Sequence, residues 1–209
     1  MTQTIALTAF TEWLNALFYS MDYAILSWYH DLAQTAFGRI LAPILNAITL
    51  TAWKGAFLVL VALVLLCFRK TRRAGLTSLI AMGIGLIAVN VCIKNFVARP
   101  RPYDFDATLR EWWVYAGSHF ESDYCFPSGH MNAACAFTSG FVFTKGKKWL
   151  IPGLVYVILM GVSRNFLIVH YPSDIVGGFI TGTLAGVIAY CIVRAIYNKW
   201  GQTKLLKEA

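Results

Sequence analysis

Read for apolar and polar positions, the chain beyond Trp53 resolves into five apolar runs: Gly55 to Phe68, Gly75 to Ile93, Ser128 to Thr144, Trp149 to Ser163 and Ile175 to Ile196. Each predicts a helix that crosses a bilayer, the shorter ones extended by flanking residues to the ~20 that a span needs. Residues 1–52 give a weaker pattern. Thr4 to Ser20 is apolar but short and interrupted by Glu12 and Asn15, which suits an interfacial amphipathic helix or a weak first span. Phe37 to Ala52 carries Arg39, Pro43 and Asn46 and reads as a broken or re-entrant helix, tolerated at membrane depth only where protein buries it. The expected fold is an all-α, polytopic transmembrane helical bundle with five spans, and a sixth if one of these two segments crosses. It forms one domain over residues 1–209: an N-terminal region 1–52, a helical core 53–196 and a tail 197–209.

Composition agrees with this pattern: 58% of the 209 residues are hydrophobic and 13% charged, outside the range of ordinary soluble domains. The net charge of +8 would suggest a nucleic-acid or anionic-lipid surface if the basic residues formed one patch. They fall instead at the ends of apolar runs, in clusters at 69–73, 145–148 and 194–207, so no nucleic-acid partner is expected. Under the positive-inside rule these clusters mark the cytoplasmic side, which puts the C-terminus in the cytoplasm. Trp53, Trp112, Trp113, Trp149 and Trp200 fall near the expected interfaces, and Gly178, Gly182 and Gly186 recur every fourth residue as a face for close helix packing. The five Cys show no metal-ligand spacing. Four lie in apolar runs, and only Cys125 falls in an expected exposed loop.

Alternation of the spans puts three polar segments on the outer side, and these hold the candidate chemistry. Lys94 to Pro102 reads KNFVARPRP, with Lys94, Arg99 and Arg101 at a helix end that the two Pro residues stop. Pro127-Ser128-Gly129-His130 stands where a loop gives way to an apolar run. A Ser cap and a bare Gly backbone there leave free N–H groups facing any anion, with His130 beside it. Ser163 to Asp174 reads SRNFLIVHYPSD, and Asp174 follows His170 by four residues. A carboxylate that accepts from one ring nitrogen leaves the other as a basic lone pair, the orienter-plus-nucleophile arrangement of covalent catalysis. Taken singly, a basic helix end, a lone His or a first-turn Asp has a merely structural reading. Together they supply what phosphoryl transfer needs: cations for the equatorial oxygens, a nucleophile and an acid for the leaving oxygen. The loop 103–126 holds five of the ten acidic residues and is either a solvated connection or a gate or headgroup selector.

Lys94 with six residues to Arg101-Pro102, then Pro127-Ser128-Gly129-His130, then Ser163-Arg164 with five residues to His170 and three to Asp174, resembles the three-part signature of the type 2 phosphatidic acid phosphatase (PAP2) superfamily. All three parts are intact and in order, and the flanking apolar runs resemble the family's membrane branch. The resemblance implies that His170 attacks phosphorus, Asp174 holds its ring, and His130 protonates the leaving group and later activates water. It further implies a phosphate clamp of Lys94, Arg101 and Arg164, assisted by Ser128 and Gly129. Arg99 is no signature position and reads as a contact behind the site or to a headgroup. No metal and no other cofactor is expected.

The implied protein is an integral membrane lipid phosphatase that works through a phosphohistidine with its site on the extracytoplasmic side. Its implied partners are the bilayer and a lipid phosphate such as undecaprenyl diphosphate, phosphatidylglycerophosphate or phosphatidic acid. Many undecaprenyl diphosphatases of the superfamily carry an acidic residue where this chain has Gly129, which leans away from them. A lipid-linked phosphotransferase with the same phosphohistidine would share every residue, and a lipid or ion transporter would explain intramembrane polar groups without needing this spacing.

Overall fold

The computed structural model describes residues 7–200, and these are helical with no strand among them. Helix α1 (Ala9–Gln34) starts at Thr8, whose side chain accepts from the Thr11 N–H, and runs well past Ser20. The Thr8 and Thr11 hydroxyls both donate to the Val97 carbonyl, which fastens the start of α1 beside the first basic segment. Thr35 closes α1 and caps α2 (Ala36–Thr51). Pro43 lies inside α2 without breaking it. The bend of 45° comes later, at Lys54 and Gly55, both with positive φ, before α3 (Ala56–Cys67).

Helix α4 (Arg72–Leu86) passes through a π-helical stretch, Ile87–Ile93, into the short α5 (Lys94–Val97). Two small helices come next on the polar side, α6 (Pro102–Phe105) and α7 (Ala107–Tyr115). The remaining elements are α8 (Gly129–Lys145), α9 (Leu150–Phe166) and α10 (Pro172–Trp200).

The expected count of five or six spans is not met. Three stretches are long and apolar enough to cross a membrane, Arg72–Phe105, Lys147–Phe166 and Pro172–Lys199, or up to four if the bent pair Ala36–Thr51 and Trp53–Cys67 is one span. Physical length explains the shortfall. The runs beginning at Gly55 and Ser128 fold into helices of 12 and 17 residues, below the ~20 that bridge a hydrocarbon core. Helix α1 has the length, at 26 residues, but carries Glu12, Asp22 and Asp31.

Helices α4, α8 and α10 pack against one another, and this trio is the centre of the molecule. A Cβ added at Gly182 would lie 2.4 Å from the Asn132 carbonyl oxygen, and one at Gly178 would lie 2.6 Å from that of Ser128. The four-residue glycine spacing therefore marks the face on which α10 meets the α8 backbone. Met82, Met131, Cys135, Met160 and Ala185 fill the interior, whereas Ile151, Val155 and Ile158 on α9 and Val176, Ile180 and Leu184 on α10 point outward. An apolar exterior over a packed interior suits a lipid solvent.

The basic clusters meet at one end. The Lys145 ammonium donates to the Lys70 carbonyl, and Arg73 stacks over the Tyr197 ring. Lys204, Lys207 and most of the expected tail 197–209 lie outside the described residues.

Candidate active site

At the opposite end, local sequence chemistry delivers the polar side chains one segment at a time. Ala98, in the left-handed region at φ 53°, ends α5, and Pro100 and Pro102 prevent residues 99–101 from extending that helix. Lys94, Arg99 and Arg101 are all buried. Ser128 is the N-cap of α8 and accepts from the Met131 N–H, and its own N–H donates to the Asp174 carbonyl at 3.1 Å. Arg164 closes α9, and Pro172 opens α10 with Asp174 in its first turn. Between them, β-branched Ile168 sits at φ 55°, a strained conformation that turns the chain just before His170.

The pieces converge on one cavity of about 460 Å³. Its lining combines Lys94, Arg101, Glu121, Asp123, Gly129, His130 and His170 with the apolar Val59, Leu79, Met82 and Leu86. Ser128, Arg164 and Asp174 are buried outside that lining. Arg101 donates through one guanidinium nitrogen to the Val169 carbonyl at 2.8 Å and reaches His170 Nε2 at 3.0 Å. Because arginine only donates, Nε2 is the acceptor, so the neutral ring carries its proton on Nδ1. Burial, reinforced by Arg101, Arg164 and Lys94, holds His170 well below the ordinary imidazole range, which keeps it neutral near pH 7.

Asp174 lies on the Nδ1 side of that ring, with a loose contact of 3.4 Å between Nδ1 and Oδ2. The same oxygen accepts from the Tyr171 N–H at 2.9 Å and from the Cys125 thiol at 2.6 Å. Cys125 is fully buried, contrary to the expected exposed loop position, because its N–H donates to the Arg99 carbonyl and its side chain packs against Tyr171 and Ile168. Burial pushes this thiol well above its usual range, so it stays a donor. Cys125, His170 and Asp174 offer ligand atoms within 4.8 Å of one another, the one grouping of metal-binding composition among the described residues. Their hydrogen bonds to one another and to Tyr171 already occupy these atoms.

Arg99 is fully buried, and its hydrogen bonds place it behind the site. It donates to Asp174 Oδ1 at 2.7 Å, to Asp22 at 3.0 Å and to Ser173 and Asn15, and its guanidinium lies 4.0 Å from the Tyr171 ring centroid. Asp22, from the middle of α1, also accepts from the Ser173 N–H and hydroxyl. An Asp22–Arg99–Asp174 chain therefore stands behind His170, and nothing in the spacing of α1 announced it.

Two further residues escaped the sequence reading. Asp123 bridges Lys94 and Arg101, and Glu121 pairs with Arg164 and comes within 3.9 Å of His130 Nδ1. Burial alone would raise the Asp123 carboxyl, but Lys94 and Arg101 outweigh it and hold the group below its usual range. The available signal was electrostatic: three cations expected at one site need anionic partners, and the nearest acids in sequence are those of loop 103–126. Arg164 also donates to Thr49 on α2 at 2.7 Å, while its Nε has no hydrogen-bond partner among the described residues.

Residues 74–197 match the PAP2 superfamily, more than half of the chain, and the protein belongs to that family. An undecaprenyl-diphosphatase of Sulfolobus acidocaldarius is 29% identical over 123 residues, which cover 59% of this chain and 57% of the relative. A phosphatidylglycerophosphatase B of Bacillus subtilis is 35% identical over 128 residues, covering 56% of each. The chain thus matches little more than half the length of these two relatives. The crystal structure of a transmembrane PAP2 type phosphatidylglycerolphosphate phosphatase from Bacillus subtilis superposes with a TM-score of 0.65 at 26% identity, over 91% of this chain and 90% of that one.

Proposed function

We propose that this protein is a membrane lipid phosphatase that releases the terminal phosphate of a lipid phosphate or diphosphate through a phosphohistidine. One observation carries the reading: a single cavity brings two histidines and two clamp cations together with aliphatic side chains. A lipid phosphate combines the same two chemistries. His170 Nε2 attacks phosphorus in line as Arg101 moves its donor from the ring to a phosphate oxygen. The N–P bond forms, the bond from phosphorus to the lipid-side oxygen breaks, and His130 gives that oxygen its proton. Water then attacks phosphorus, His130 takes a proton from it, and the N–P bond breaks.

Lys94, Arg101 and Arg164 neutralise the transferring group, with Ser128 and the Gly129 N–H at the helix start. The free Nε of Arg164 is a donor suited to a phosphate oxygen. Asp174 keeps the Nδ1 proton in place. The whole chain forms one such domain. The basic end faces the cytoplasm under the positive-inside rule, which puts the site on the extracytoplasmic side. By the names of the relatives, undecaprenyl diphosphate and phosphatidylglycerophosphate are the first substrates to try, with phosphatidic acid beside them.

Phosphate release from these three lipids in detergent tests the reading. The intact protein is expected to turn over at least one of them, and His170→Ala is expected to lose turnover while remaining folded. Near-normal phosphate release by His170→Ala would overturn the nucleophile assignment.

A further inference from the structure

Every cation of the clamp is held by a carboxylate from the loop between the first and second signature segments. Lys94 and Arg101 share Asp123, and Arg164 takes Glu121. The partners are unequal in exposure. The three cationic side chains are 2–4% exposed, whereas Asp123 is 43% and Glu121 22% exposed. The cations are thus fixed in the protein, and the carboxylates reach them from the solvent side.

The backbone that carries the acids is not helical between Ser118 and Ser128. Besides the carboxylate pairs, it is tied to the fold by the Tyr103 hydroxyl at Glu121, by the Trp113 indole N–H at the His119 carbonyl, and by Arg101 Nε, which donates to the Asp123 carbonyl at 3.0 Å, while the Cys125 N–H anchors its far end to the Arg99 carbonyl. Returning a partly exposed carboxylate to water costs far less than leaving a buried cation uncompensated. Whatever displaces the acids must therefore bring equal charge. A terminal phosphate carries close to two negative charges above its second pKa of about 6, matching two carboxylates, while a phosphodiester carries one.

We propose that Asp123 and Glu121 are internal competitors for the phosphate clamp, exchanged for a dianionic phosphate group and thereby selecting terminal phosphates and diphosphates over phosphodiesters. This rests on reading Lys94, Arg101 and Arg164 as the clamp. The exchange is of hydrogen bonds and ion pairs only, with no covalent step. It gives loop 103–126 the selector role that the sequence left open beside a plain solvated connection.

The test is calorimetric titration of the purified full chain in detergent at pH 8 with inorganic phosphate and, separately, dimethyl phosphate. Asp123→Asn is expected to bind inorganic phosphate about tenfold more tightly than the unaltered protein, and Asp123→Asn with Glu121→Gln more tightly still. The double variant is also expected to take up dimethyl phosphate, which the unaltered protein discriminates against. Phosphate affinity unchanged or weakened in Asp123→Asn, with phosphate bound by the unaltered protein, would overturn the proposal and leave the clamp standing. Phosphate binding that survives Lys94→Ala and Arg101→Ala undiminished would overturn the clamp itself.

A second measurement needs no variant. Hydrogen exchange of residues 119–123 in the unaltered protein is expected to accelerate on adding phosphate, as the acids leave their partners. Protection of that stretch would count against exchange and show the loop to be part of the bound site.

Discussion

Arg99 shows how much of this site rests on one side chain outside the signature. Its guanidinium neutralises two buried carboxylates, one of which stands beside His170, and its fork matches both partners as a single ammonium cannot. Arg99→Ala leaves Asp22 and Asp174 uncompensated and should destabilise the protein by about 3–5 kcal/mol, measured by thermal unfolding in detergent. Arg99→Lys keeps the charge and should keep the fold. In that variant kcat is expected to fall by about tenfold or more with little change in KM, since Arg99 touches Asp174 and does not line the cavity that holds the two histidines. A loss confined to KM would place Arg99 in direct contact with substrate instead.

The same scale shows what the chain made legible. Proline stops, a serine cap and an i, i+4 His–Asp spacing are short-range devices, so Lys94, Arg101, Ser128, His130, Arg164, His170 and Asp174 could be picked out in order. Asp22, Cys125 and Asp123 could not, because their importance comes from partners dozens of residues away. Asp22 reaches Arg99 across 77 positions.

At the scale of elements, the interface between α8 and α10 decides whether the two histidine-bearing segments face each other. Helix α8 begins at the Ser128 cap with His130 in its first turn, and α10 begins just after His170. The glycine stripe lets the backbones approach until a Cβ at Gly182 would overlap the Asn132 carbonyl. Because that neighbour is backbone, no rotamer change relieves the overlap. Gly182→Val should lower the unfolding midpoint, at a cost of roughly 1–3 kcal/mol as for overpacked cores, and should lower activity with it. An unchanged midpoint would show that the helices can part without penalty. Sequence spacing foresaw this face, but not the π-helical turn in the first basic helix. That turn carries Asn90 to the cavity wall and leads directly into Lys94. The apolar run from Gly75 to Ile93 reads the same with or without it.

For the molecule as a whole, polarity is divided along one axis. Basic turns occupy one end, the residues proposed to bind phosphate the other, and aliphatic side chains cover the flanks between. If the basic end is cytoplasmic, Lys148→Cys should react with a membrane-impermeant maleimide only after the cells are opened. Phe120→Cys, at a residue 74% exposed on the other end, should react in intact cells. The reverse pattern would turn the protein over in the membrane and put its chemistry on the cytoplasmic face. The segment count was the part least legible, because the shorter apolar runs were expected to extend into their flanks and instead stop almost where the apolar residues do. Lys54 and Gly55 bend one run away from its neighbour, and the helix at Ser128 ends after 17 residues.

The Ser128 N–H that donates to the Asp174 carbonyl has a mechanical consequence. One hydrogen bond joins the first turn of the helix that carries His130 to the first turn of the helix just after His170, and Gly178 keeps the two turns at contact distance just below it. The two turns are thereby coupled. A displacement of either helix along its axis is expected to carry the other with it, so the spacing of the two histidines is held against movements of the surrounding bundle.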